Sequence, residues 1–152
     1  MFPSSTIHPE VLEMPATYPP VISLYIICDV TPYNSPIIAR NFAGVTIHDV
    51  LFAIYNNLQI QILDTEWSNL SKKQQDRVKA VFYARVHRSP DPSVAQLAGV
   101  KGVDTLLCHT FFGGLTPIPA HEPTCVLTLR RGQSPPRHNT AQTPSPLLFL
   151  SS

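Results

Sequence analysis

Residues 44–58 read GVTIHDVLFAIYNNL, and this stretch decides the fold class. Thr46 carries the short polar side chain that caps a helix N-terminus. Asp49, three residues later, suits the positive end of the helix. Ile47, Val50, Leu51, Ile54 and Leu58 then recur at helical spacing, which predicts one buried face. Asn56 and Asn57, with the Gln-Ile alternation that follows, end the helix.

Upstream of that helix the pattern is extended. Ser23 to Cys28 is rich in β-branched and aromatic residues, which suit a pleated surface. Leu24, Ile26 and Cys28 share one face of this strand, and Tyr25 and Ile27 share the other. The segment 31–35 is a cluster of turn-forming residues. Pro36 to Asn41 reads as a second strand, its proline placing it at a strand start or sheet edge, so the two strands form a hairpin. Five prolines within residues 1–20 predict extended, weakly ordered chain, with residues 1–14 as a flexible arm.

Downstream, Asp64 to Trp67 opens a short helical turn capped by Asp64 or Thr65. Ser71 with Gln74 is a capping box, so a long helix runs from about Lys72 to about Arg88. Its apolar stripe is Val78, Val81, Phe82 and Val86. Ser89 to Pro92 ends it, and Ser93 to Leu97 adds one helical turn. Val103–Leu107 and Thr110–Phe112 read as two strands or one bent hairpin. Cys108-His109 is a poor turn pair, so a single strand over 103–112, ended by Gly113-Gly114, is the alternative. Leu115 to Pro123 reads as loop. Thr124 to Arg130 is the last strand, with Cys125, Leu127 and Leu129 on one face. Residues 131–152 are Pro/Ser-rich without periodicity and read as a disordered tail.

These elements predict a single α+β domain over residues 15–130, with a small, mainly antiparallel sheet packed against two amphipathic helices on one face. Composition narrows the class further. Of 152 residues, 43% are hydrophobic and only 14% charged, which excludes a highly charged disordered chain and a coiled coil. The net charge of +1 creates no global field that selects nucleic acid. No apolar run approaches the roughly 18–20 residues that span a bilayer, so no membrane role is expected. There is no lysine or arginine before Arg40, which argues against a secretory signal peptide. The three cysteines, Cys28, Cys108 and Cys125, lack Cys-x-x-Cys spacing and read as reduced, buried thiols of a cytoplasmic or nuclear protein.

The ordered blocks also carry a resemblance. Pro19-Pro20 leads into the strand at Leu24–Cys28, followed by the Gly44–Leu51 helix start, the turn at Glu66–Leu70 and the basic helix. Gly102–Leu107 and Thr110–Leu115 complete the set. Over roughly residues 15–130 the chain resembles the domain of unknown function 6699, a family common in mushroom-forming basidiomycete fungi. That resemblance implies a fungal source and assigns no catalytic residues, cofactor or activity.

The candidate surface is the basic helix. Lys72, Lys73, Arg77, Lys79, Arg85 and Arg88 oppose the single Asp76. Such a face binds phosphates or acidic protein surfaces, although lysine and arginine also commonly fill solvated faces. Trp67 in its capped turn is a second candidate, because tryptophan is enriched at binding hot spots. Lys72, Lys73, Arg77, Lys79, Arg85 and Trp67 therefore form the expected interaction surface. The expected function is a non-enzymatic protein-interaction or ligand-binding module with a protein partner. The alternatives are nucleic-acid binding by helix 72–88 and an unrecognised small enzyme using Asp104, His109 or His121. No catalytic, cofactor or metal signature is present, and Cys108, His109, His121 and Cys125 are wrongly spaced for a zinc knuckle. Asp49 reads as a helix-start carboxylate, and Asp104 as a local ion pair or cap.

Overall fold

The computed structural model describes residues 7–32 and 35–132. The expected turn at 31–35 falls partly outside these residues, and the expected disordered tail falls outside them from residue 133 onward. In chain order the elements are α1 (Pro9–Leu12), β1 (Ser23–Ile27), β2 (Ile37–Arg40), α2 (Ile47–Leu58), α3 (Asp64–Ser68), α4 (Lys72–Arg88), α5 (Pro92–Leu97), α6 (Gly102–Thr105), β3 (Phe111–Ile118) and β4 (Thr124–Arg130).

The four strands form one sheet in the order β2-β1-β4-β3. The outer pairs β1/β2 and β3/β4 are antiparallel, but the central pair β1/β4 is parallel. The sheet is therefore mixed: two of its three pairings are antiparallel, and the central one departs from the expected pattern. Two hairpins lie side by side, and the connection from β2 to β3 crosses over through the helices before β4 returns beside β1.

Alternation along β1 and β4 sorts the two faces as expected, and β2 alternates in the same way. Leu24, Ile26, Ile37, Ala39, Cys125 and Leu127 point inward and are buried. They meet Val50, Ile54 and Leu58 of α2 and Leu106 in one apolar cluster. Tyr25, Ile27, Ile38 and Val126 belong to the opposite face, which no helix among the described residues covers to the same degree.

Among the described residues one long helix lies on the sheet. α2 packs against β2, whereas α4 packs against α5 and α6. Val78, Phe82 and Val86 of α4 are buried, but outside the cluster that contains the strands. The expectation of two helices side by side on the sheet is corrected accordingly: α4 forms a further layer, with α6 between it and α2.

Three local readings also change. Residues 103–107 do not form a strand, because α6 occupies Gly102–Thr105. The Asp104 carboxylate accepts from the Lys101 amide at 2.9 Å, and the Thr105 hydroxyl donates to the Gly102 carbonyl at 2.6 Å. These local bonds offer the backbone a helical turn in place of a ladder. Leu107, at φ 54, then breaks the turn. β3 continues through Gly113-Gly114 to Ile118, where a strand end and a loop were expected. A bulge lies between Phe112 and Gly114, and Gly114 sits at φ 132. A Cβ on Gly113 would come within 2.9 Å of the Thr128 carbonyl oxygen, so the glycines permit the bulge instead of ending the strand. Within the described part of the expected N-terminal arm, Pro9–Leu12 forms α1. The Met14 carbonyl accepts from the Ile47 amide at 3.0 Å, and the Ala16 amide donates to the Val45 carbonyl at 2.8 Å.

The start of α2 follows the sequence closely. The Thr46 hydroxyl accepts from the Asp49 amide at 3.2 Å, and the Asp49 carboxylate accepts from the Thr46 amide at 2.9 Å. The Asn41 side chain donates to the same carboxylate oxygen at 2.8 Å, which ties the end of β2 to the helix. The Thr46 amide first, and then Asn41, hold the Asp49 carboxyl below its ordinary value of 3.8. Its stabilising contribution is thus complete above that value and lost as pH falls through the lower folded value. Asp49→Ala is expected to cost about 1 kcal/mol near neutral pH. Denaturant titrations should show the gap to the unsubstituted protein closing as pH is lowered below about 4.

Candidate interaction surface

α4 begins at Ser71, whose hydroxyl accepts from the Gln74 amide at 3.3 Å while the Gln74 side chain accepts from the Ser71 amide at 2.8 Å. Val78, Phe82 and Val86 recur every four residues and turn inward, which directs Lys73 and Arg77 outward. Lys72, Lys73, Arg77, Lys79 and Arg88 are all exposed. Lys72 pairs with Asp76 at 3.0 Å, an exposed i,i+4 pair that neutralises part of the charge. Lys73, Arg77 and Arg88 form no ion pair among the described residues.

Trp67 joins this surface from α3. The cap of α3 is supplied by Glu66, which accepts from the Leu63 amide at 2.8 Å, and not by Asp64 or Thr65. The Gln75 side chain donates to the Trp67 carbonyl at 3.0 Å, fixing α3 against the first turns of α4. The Lys79 ammonium lies 5.8 Å from the centre of the half-buried Trp67 ring, a cation–π contact. Of the six expected surface residues, Lys79 is placed against Trp67, Lys72 pairs with Asp76, and Lys73 and Arg77 are exposed elsewhere around α4.

Arg85 is turned elsewhere. Its Nε donates to Asp104 Oδ1 at 2.7 Å and its Nη2 donates to Oδ2 at 2.8 Å, a bidentate pair. Nη2 also donates to the Gly99 carbonyl at 3.0 Å. The Asp104 side chain is 1% exposed and that of Arg85 28%. The hydrogen bond to Asp104 raises the Arg85 pKa further above its ordinary value, so the guanidinium stays charged. Asp104 is both an ion pair and a cap, but its ionic partner is Arg85, nineteen residues away in sequence, and not Lys101. Arg85 holds the fold together and does not belong with the outward-facing cations.

The groups considered for chemistry are dispersed. Cys28 and Cys125 are buried, whereas Cys108, expected to be buried, is exposed. Burial pushes the Cys125 thiol up and keeps it protonated. Cys108 Sγ lies 4.0 Å from His109 Nδ1, and His121 is exposed on the β3–β4 connection. Among the described residues no group of three or more His, Cys, Asp or Glu is placed to hold a metal ion. His48 is exposed and stacks on Phe52 at 5.9 Å.

Two open depressions mark the surface. One, of about 380 Å³, lies between Tyr25, Ile27, Pro36, Ile118 and Thr124 on the sheet face opposite α2. The other, of about 530 Å³, runs between β2 and α2. Neither is lined by Asp104, His109 or His121. The β2–α2 groove has no signature in the sequence, since its walls come from residues scattered over 36–60. Among the described residues no helix is long and apolar enough to cross a membrane.

A mixed four-stranded sheet carrying helices, with a cationic corner and open grooves, defines an α+β domain. The chain belongs to a family of unknown function, DUF6699, whose profile matches residues 1–125. The match thus takes in the N-terminal segment and stops early in β4. No curated protein and no solved structure gives a significant match.

Arg85→Ala leaves a buried carboxylate without its cation and is expected to destabilise the fold by about 3 kcal/mol. The double substitution Arg85→Met with Asp104→Leu removes both charges and should recover more than half of that loss. Urea denaturation of the two variants beside the wild type measures both effects.

Proposed function

We propose that this chain is a non-enzymatic interaction module of a fungal cell, acting in the cytoplasm or nucleus, that docks an acidic protein partner on the α3–α4 corner. The contact of Lys79 with Trp67 carries this reading. It places a large aromatic surface beside a cation, with Lys73 and Arg77 exposed on the same helix. Tryptophan and arginine are the residue types that dominate interface energetics. The surrounding cations steer an acidic partner and set the orientation of docking. Pre-organisation supports the same reading. Gln75 fixes the Trp67 backbone, and the Arg85–Asp104 pair fixes the far end of α4, so little order remains to be gained on binding.

The test is affinity capture from a fungal lysate, with nuclease treatment, at low and high salt. The wild type is compared with a variant carrying Lys72→Gln, Lys73→Gln, Arg77→Gln and Lys79→Gln, and with Trp67→Ala. The proposal expects nuclease-resistant partners that are retained by the wild type and lost from both variants. Recovery abolished by nuclease and falling steeply with salt would instead assign the surface to nucleic acid. Equal recovery by all three proteins would overturn both readings.

A further inference from the structure

β2 is an edge strand, and the direction of its free main-chain groups follows from its register. The Asn41 amide donates to the Ile22 carbonyl at 3.0 Å, so the Ile22/Asn41 pair is a hydrogen-bonded one. Antiparallel pairs alternate, and the register pairs Leu24 with Ala39 and Tyr25 with Ile38. Ile37, Ala39 and Asn41 therefore bond to β1, while the N–H and C=O groups of Ile38 and Arg40 point away from the sheet. Those outward groups have no hydrogen-bond partner among the described residues. They border the groove of about 530 Å³ whose far wall is Phe52, Ala53, Asn56 and Asn57 of α2.

Two further observations define what the groove accepts. Phe52 is exposed on the α2 wall and gives the groove an apolar surface. Arg40 is exposed at one end of the strand and makes no ion pair among the described residues. Asp49 also lines the groove, but its carboxylate is occupied by Thr46 and Asn41.

We propose that the β2 edge and α2 together form a docking groove for an extended, acidic and apolar peptide segment of a partner protein, which adds a strand beside β2. Unpaired main-chain groups along a strand edge are matched by another polypeptide backbone. Opposed residues on paired strands share a face. A carboxylate of the peptide therefore lies opposite Arg40, and an apolar side chain two residues away lies against Ile38. The residue between them points toward α2, where an apolar side chain meets Phe52. This groove is separate from the α3–α4 corner and does not depend on its function.

The test screens a displayed library of random peptides of about twelve residues against the full chain. Peptides enriched by the wild type should place a carboxylate two positions from an apolar residue. On addition of an enriched peptide, the Ile38 and Arg40 amides should exchange with solvent at least ~10-fold more slowly. Methylating alternate peptide nitrogens should abolish binding without changing any side chain. Arg40→Glu should weaken binding at least ~10-fold. Ile38→Pro, which removes one outward amide and leaves the bonds to β1, should do the same; proline is tolerated on strand edges. Thermal melts check that both variants fold, and Arg40→Glu decides the matter if Ile38→Pro does not. The paired substitutions Lys73→Gln and Arg77→Gln should leave peptide binding unchanged. Failure to enrich any peptide, unchanged exchange at Ile38 and Arg40, or a self-associated chain whose β2 edges pair with one another would each overturn the proposal.

Discussion

One buried carboxylate joins the two halves of this molecule. Asp104 is nearly inaccessible to water, and a lone charge there would be intolerable without compensation. Three donors meet it: two from the Arg85 guanidinium and one from the Lys101 amide. The turn that carries it reaches in both directions. Leu106, just after α6, enters the apolar cluster of the sheet and α2. Arg85 brings in α4, whose own buried residues lie outside that cluster. The segment is anchored as well by the Gly102 amide, which donates to the Ile60 carbonyl, and by the Ile62 amide, which donates to Val100. Breaking such a pair costs more than its formation contributes, because the survivor remains buried and unpaired. The pair is thus best understood as fixing where α4 sits, with apolar burial supplying most of the stability.

That placement has a direct consequence for the surface. With Arg85 drawn inward, α4 divides its cations by role. Arg85 closes the interior, Lys72 is paired with Asp76, and Lys79 rests near Trp67. Lys73 and Arg77 are left as outward charges on a helix whose rotation is already set. Away from that helix, the mixed sheet leaves β2 at an edge beside α2, with outward main-chain groups that have no partner among the described residues. The two surfaces differ in kind. One presents side-chain charge and an aromatic ring; the other presents backbone.

Local chemistry was legible wherever a few adjacent residues decide the outcome. The α2 cap at Thr46 and Asp49, the α4 box at Ser71 and Gln74, and the alternation of β1 all stand as the residue types require. The failures share a cause as well. Val103 to Leu107 looks like a strand by composition, yet Asp104 and Thr105 bond their own backbone and close a turn. Gly113-Gly114 looks like a terminator, yet β4 supplies a partner ladder that carries the chain across a bulge. Propensity lost in each case to a bond whose value depended on surroundings.

The sequence by itself determined the α+β class, the inward faces of β1, β4 and α2, and the basic character of α4. These are set by periodicity and capping, which act over a few residues. Only the tertiary structure decided that β4 runs parallel to β1, that α4 lies beyond α6 and not on the sheet, and that Arg85 belongs to Asp104. It alone placed the free edge of β2 beside α2. Each of these joins residues far apart in the chain, and no local pattern records which distant partner a charge or a strand edge will meet.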